Sequence, residues 1–163
     1  TMSKEFVVGR HFPEFTLKAS SGETIAEKSF LGKKTIVFIY PKNDTSGCTK
    51  ECIDFSNLVS DFKEYNTTVF GLSKDTHESH KKFIEKHNLN ICLIADPSVK
   101  LIGALGAWVK KSMYGKEYMG SERTTFILDE NNKVTHIYRK VKVKGHAEEV
   151  LKACKTMIKE DNG

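Results

Sequence analysis

The chain has little proline, three residues in 163, and a single tryptophan. With no low-complexity tract either, this argues against long linkers or disorder. No apolar run approaches the roughly 18 residues that a membrane-spanning helix needs. The opening stretch TMSKEFVVGRHFPEF lacks the apolar centre of a secretory leader, which predicts a reducing, cytoplasmic setting. Thr1 ahead of Met2 reads as an expression scar. Charge of one sign is also scarce, a net +5. The most basic stretch, RKVKVK at 139–144, alternates lysine with Val141 and Val143 and has no interleaved aromatic. It reads as a strand with one buried face, not as a nucleic-acid patch.

What is present describes an ordinary globular protein, 39% apolar and 29% charged. Its length suits one domain over 1–163, able to bury a core without staples. FTLKA at 15–19 and ETIAE at 23–27 flank the turn SSG, an N-terminal hairpin. KTIVFIYP has no polar face and predicts a strand buried on both sides. After Cys48, the positions of Phe55, Leu58, Val59 and Phe62 predict an amphipathic helix. TVFGLS at 68–73 is the next strand, and THESHKKFIEKHN a helix with Thr76 at its N-cap. ICLIAD predicts a third strand and PSVKLIGALGAW a helix stopped by its glycines. TTFILD and KVTHIYR, joined by ENN, predict a hairpin. HAEEVLKACKTMIKE predicts a closing helix with Ala147, Val150, Leu151, Cys154 and Ile158 inward. The alternation points to an α/β fold, a central mixed sheet flanked by helices.

Four cysteines in such a chain are expected to be thiols, and any disulfide catalytic rather than structural. Cys92, inside an apolar strand, and Cys154, on an apolar helix stripe, read as small core hydrophobes. Cys52 lies on the inner stripe of its helix, three before Phe55, so it either packs the core or serves chemistry. Cys48 stands apart, because a strand has ended, the polar loop KNDTSG has intervened, and a helix is starting. A thiol in the first turn faces unpaired backbone N–H groups and the positive end of the helix dipole, which favour a thiolate. Gly47 lets a ligand approach the backbone. A zinc pair would need two further ligands, and His77 and His80 in a charged helix are the nearby candidates. A redox pair of the usual spacing has two intervening residues, where Cys48 and Cys52 have three.

The segment PKNDTSGCTKE resembles the active-site signature of the peroxiredoxins, Pro-x-x-x-Thr-x-x-Cys, with Pro41, Thr45 and Cys48 in register. Together with VFIYPK, GAW at 106–108 and SERTTFILDENNKV at 121–134, it is similar to the bacterioferritin comigratory, or Q-type, branch. The likeness runs from GRHFPEFTL to the closing helix. It implies a thioredoxin-like fold with an N-terminal hairpin extension, and a peroxidase needing neither cofactor nor metal. Cys48 would be the peroxidatic thiolate, attacking the terminal-side oxygen of a hydroperoxide to give a sulfenic acid. Thr45 would point its hydroxyl at the peroxide, Pro41 would shield the thiolate, and Arg123 would supply a permanent charge and a fixed donor fork. The N–H groups of Gly47 and Cys48 would complete an anion hole, and Glu51 would orient the arginine. The implied reductant is thioredoxin, glutaredoxin or a small thiol; neither nucleic acid nor membrane is expected as a partner. The lack of an extended C-terminal arm leans toward a monomer.

The positions where relatives place a resolving cysteine hold Ile53 and Ile84. Cys52 is one residue short of the first. It, Cys92, Cys154 or an external thiol could resolve the sulfenic acid, and a non-enzymatic thiol switch or a thiol–disulfide oxidoreductase on the same fold is the rival reading.

Overall fold

A computed structural model of the chain describes residues 6–162. The readings of Thr1 and of the Ile158 side chain lie outside what is described. Nine strands run β1 (Thr16–Lys18), β2 (Thr24–Ala26), β3 (Lys34–Ile39), β4 (Thr67–Ser73), β5 (Cys92–Ala95), β6 (Trp108–Met113), β7 (Lys116–Ser121), β8 (Thr124–Leu128) and β9 (Val134–Tyr138). The helices are α1 (Ser46–Asn57), α2 (Val59–Glu64), α3 (His77–His87), α4 (Lys100–Ala104) and α5 (His146–Asn162).

The central sheet has the order β5-β4-β3-β8-β9. β3 and β4 are parallel with Ile36 opposite Val69, β4 and β5 are parallel, and β8 and β9 are added antiparallel. β3 is central and buried at all six positions, as its unbroken apolar run requires. Its alternate residues feed two cores. Ile36, Phe38 and Tyr40 meet α1, α2, α3 and α5 on one face. Val37 and Ile39 meet the N-terminal segment, α4 and Phe126 on the other. The mixed sheet flanked by helices, the N-terminal hairpin β1–β2 and the α3 N-cap all match the sequence reading; the Thr76 hydroxyl accepts from the Ser79 amide.

Four segments differ. The helix after Cys48 breaks at Leu58 (φ −103, ψ 4), where the N–H bonds Phe55 and Ser56 carbonyls, so α1 and α2 are separate. The helix expected over 97–108 is only α4, because the chain turns at Gly106 (φ +73). The hairpin β6–β7 was not legible in the pattern: each strand mixes lysine, serine and methionine, with no buried face to mark a period of two. RKVKVK is not a strand. β9 ends at Tyr138, Lys140 turns left-handed (φ +48), and 139–145 is a loop. Alternation alone does not make a strand where no neighbour offers a ladder.

Gly71 lies between Phe38 of β3 and Leu93 of β5. A Cβ there would sit 2.5 Å from Leu93 Cδ2, 3.0 Å from Phe38 Cζ and 3.2 Å from Tyr40 Cε1. Gly71→Ala is therefore an overpacking change, expected to lower unfolding free energy by about 1–3 kcal/mol. A urea midpoint equal to that of the wild type would contradict the packing described.

Candidate active site

The site forms where β3 stops. Tyr40 continues the buried face, Pro41 follows half-buried, and residues 42–45 turn the chain into α1 through the left-handed Asp44 (φ +63). Thr45 is the N-cap residue in extended conformation, yet its hydroxyl does not cap the helix; it donates to the Lys42 carbonyl at 3.0 Å. The first-turn N–H groups, including those of Gly47 and Cys48, thus receive no side-chain cap. Such groups are suited to an anion. Cys48, the third residue of α1, is buried at 1% exposure.

Arg123, in the short segment between β7 and β8, reaches this helix start. One guanidinium nitrogen donates to Cys48 Sγ at 3.4 Å and the other to Glu51 Oε1 at 2.8 Å. Gly47 lies against it, since a Cβ there would be in ordinary van der Waals contact with Arg123 Nη2 at 3.4 Å. The backbone around Arg123 is tied on both sides: the Glu122 amide donates to Ala107 O, and the Val141 amide donates to Arg123 O. The 139–145 loop, misread as a strand, is thus what holds the arginine's carbonyl.

Glu51 is buried at 1% exposure, and its Oε2 has no hydrogen-bond partner among the described residues. Burial pushes its carboxyl up to about 7, outweighing the neighbouring guanidinium. The Arg123 pKa rises in turn: burial opposes its charge, but Glu51 and Cys48 favour it more. Cys52 is fully buried under the site, and desolvation first, then the Glu51 charge, push its thiol well above the ordinary range. Cys154 is likewise pushed up by burial, to about 11, and Cys92 is half-buried beside the Ser20 hydroxyl.

Of the residues singled out from the sequence, Cys48, Arg123, Glu51 and Gly47 meet. Thr45 and Pro41 lie on the connecting loop, with Thr45 engaged to Lys42. Sequence reasoning missed the network beneath that loop. The Tyr40 hydroxyl donates to Asn43 Oδ1 at 2.7 Å, and the Asn43 amide nitrogen reaches Ser79 Oγ and His80 Nδ1, both at 3.1 Å. His80 Nε2 lies 3.0 Å from the Ile94 carbonyl, so that nitrogen carries the proton and Nδ1 accepts. Burial lowers His80 to about 4, which keeps it neutral and fixes this arrangement. Asp44 adds an ion pair to Lys86 and a contact to His87 Nε2, each at 3.1 Å. α3 therefore holds the loop along its length. With His80 committed and His77 paired to Glu78, the zinc alternative has no cluster: no group of three or more ligating side chains occurs among the described residues. No helix is long and apolar enough to cross a membrane among them either.

The sign of the Glu51 shift gives a test. A carboxyl raised from 4.5 to about 7 by folding binds its proton more tightly in the native state. The associated stability is complete at pH below the unfolded value and is lost as pH rises through the native one. Glu51→Gln should flatten the fall of unfolding free energy between pH 4.5 and about pH 7. Denaturant titrations at a series of pH values measure this; an unchanged slope would mean that Glu51 ionises as an ordinary carboxylate.

The profile of the AhpC/TSA family matches residues 8–137. A Bacillus subtilis peroxiredoxin Bcp is 41% identical over 150 residues, 92% of this chain and 96% of its own length. A Xanthomonas campestris bacterioferritin comigratory protein, solved in connection with its alkyl peroxide reduction activity, superposes with a TM-score of 0.84 at 35% identity, covering 88% of this chain and 91% of that one. A Xylella fastidiosa PrxQ structure superposes with a TM-score of 0.90 at 29% identity, covering 96% and 99%.

Proposed function

Since this chain belongs to the AhpC/TSA family, in its Bcp branch of peroxiredoxins, and is a thiol-dependent peroxidase, we propose that Cys48 is the thiol that meets the peroxide, activated by Arg123. The observation carrying this reading is the single guanidinium that spans Cys48 Sγ and Glu51 at the start of α1. The substrates are hydrogen peroxide and organic hydroperoxides, the class that the Xanthomonas relative's alkyl peroxide reduction also points to.

The Cys48 thiolate attacks one peroxide oxygen; the O–O bond breaks, the sulfur becomes a sulfenic acid, and the leaving oxygen takes a proton and departs as alcohol or water. Arg123 offsets the thiolate charge and donates to the peroxide oxygens as charge moves along the O–O bond. The uncapped N–H groups of Gly47 and Cys48 donate from the other side, and Glu51 holds the guanidinium plane. Thr45, whose hydrogen is spent on Lys42 O, offers lone pairs to a peroxide O–H. Pro41 covers the thiolate.

One route to resolution uses Cys52. Its thiol attacks the Cys48 sulfenic sulfur, a disulfide forms, and hydroxyl and proton leave as water. Residues four apart on an intact helix have Cβ atoms about 5–6 Å apart, and a disulfide wants about 3.5–4.5 Å. The first turn of α1 must unwind for the bond to form. A thiol reductant then returns both cysteines to thiols. Burial of the Cys52 thiol in protonated form favours a second reading, in which the external thiol attacks the sulfenic acid directly. The chain acts as a monomer in the cytoplasm, with thioredoxin, glutaredoxin or a small thiol as reductant.

Serine replacements test the assignments. Cys48→Ser is expected to abolish peroxide consumption, while Cys92→Ser and Cys154→Ser leave the first peroxide reduction near wild type. If Cys52 is the resolver, Cys52→Ser keeps that first reduction but loses turnover with thioredoxin, and non-reducing peptide maps of oxidised wild type contain a Cys48–Cys52 bond. A free Cys52 beside a sulfenylated Cys48 would assign resolution to the external thiol. Loss of the first step in Cys92→Ser or Cys154→Ser, with the fold intact, would refute the site.

A further inference from the structure

The hairpin β6–β7 is a two-stranded sheet whose strands pair with each other and with no third strand among the described residues. Isolated hairpins are marginal in water. This one nevertheless leaves Met113, Tyr118 and Met119 about half exposed and Tyr114 98% exposed. Tyr114 and Gly115 form its two-residue turn, both with positive φ, +53 and +78. A turn of that shape favours Asn-Gly or Asp-Gly. A bulky aromatic in left-handed conformation is an outlier whose persistence points away from folding and toward contact.

The hairpin also stands at the active site. Its β7 strand leads directly into Arg123. A Cβ at Gly120 would lie 3.1 Å from Lys111 Cδ, so the lysine stem lies across the hairpin. The Lys74 ammonium lies 5.7 Å from the Trp108 ring centroid at the hairpin base. Lys110, Lys111 and Lys116 stand opposite or beside the exposed tyrosines and methionines in the hairpin register, with Glu117 paired to Lys110. The result is an apolar tip in a basic surround, beside a thiol that must be re-reduced.

We propose that this hairpin is a docking arm for the protein that re-reduces the peroxidase: a dithiol protein with an acidic rim and an apolar hollow near its own reactive thiol, into which Tyr114 inserts. The inference rests on the peroxidase reading above. A second copy of this chain fits less well, because the arm and the chain as a whole are both positive and like charges repel. Tyrosine and methionine are enriched at interface centres, and one aromatic anchor commonly dominates.

The test uses two variants of the whole chain, with peroxide turnover driven either by a bacterial thioredoxin with its reductase or by dithiothreitol. Tyr114→Asn installs the preferred turn pair, so thermal stability is expected to hold or rise. The KM for thioredoxin is expected to rise at least about fivefold, the scale of losing one anchoring aromatic. Lys116→Glu is expected to raise it too, and to weaken the salt dependence of kcat/KM. Dithiothreitol-driven turnover stays at the wild-type value in both, and that arm by itself reports whether the peroxidase reading stands. Unchanged thioredoxin kinetics, or equal losses with both reductants, would overturn the proposal. So would a Tyr114→Asn effect confined to sedimentation or to binding of anionic vesicles, which would assign the tip to self-association or to a lipid surface.

Discussion

The Arg123 guanidinium, itself half-buried, donates to the buried Cys48 Sγ at 3.4 Å on one side and to the buried Glu51 Oε1 at 2.8 Å on the other. A half-buried arginine needs hydrogen-bond partners for its fork, and here the two nitrogens are shared between a carboxyl and a sulfur. Much of the surrounding structure serves that sharing. α1 begins at the end of the doubly buried β3, so Cys48 cannot drift from the sheet. Glu51 lies one turn further along the same helix, so sulfur and carboxyl present themselves to a single planar fork. The Ala107 carbonyl and the Val141 amide fix the arginine's backbone from opposite sides.

The loop between strand and helix is the other half of the construction. A threonine N-cap normally bonds the amides of the first turn, but Thr45 is turned back on Lys42, and those amides are left for an anion. An uncapped helix start is also one that unwinds more readily. Local instability at the first turn and anion affinity therefore come from one feature. The buried set Tyr40, Asn43 and His80, together with the Asp44 pair to Lys86 of α3, keeps the loop upstream of Thr45 in place.

The sequence disclosed the parts of this whose causes are local. A six-residue apolar run, a polar loop and an amphipathic period place Cys48 at a helix start without reference to anything distant. The Arg123–Glu51 contact joins residues 72 apart, and only the resemblance to a family made it legible. The β6–β7 hairpin escaped notice because its strands are polar on both faces and its turn carries tyrosine where asparagine is the usual sign. RKVKVK misled for the opposite reason: its alternation is real, but its role is to loop past β9 and bond Arg123. His80 read as a possible ligand in a charged helix because burial by a loop 37 residues earlier leaves no local mark.

The central claim is that Arg123 activates the buried Cys48, and the rate of the first chemical step measures it. Stopped-flow oxidation of reduced protein by hydrogen peroxide, in wild type and Arg123→Met, isolates that step from recycling. A charge-assisted contact worth about 1.5–3 kcal/mol implies a second-order rate at least about tenfold lower in the variant, with the fold retained by circular dichroism. Equal rates in the two proteins would contradict the claim and leave Arg123 as a structural ion-pair partner of Glu51.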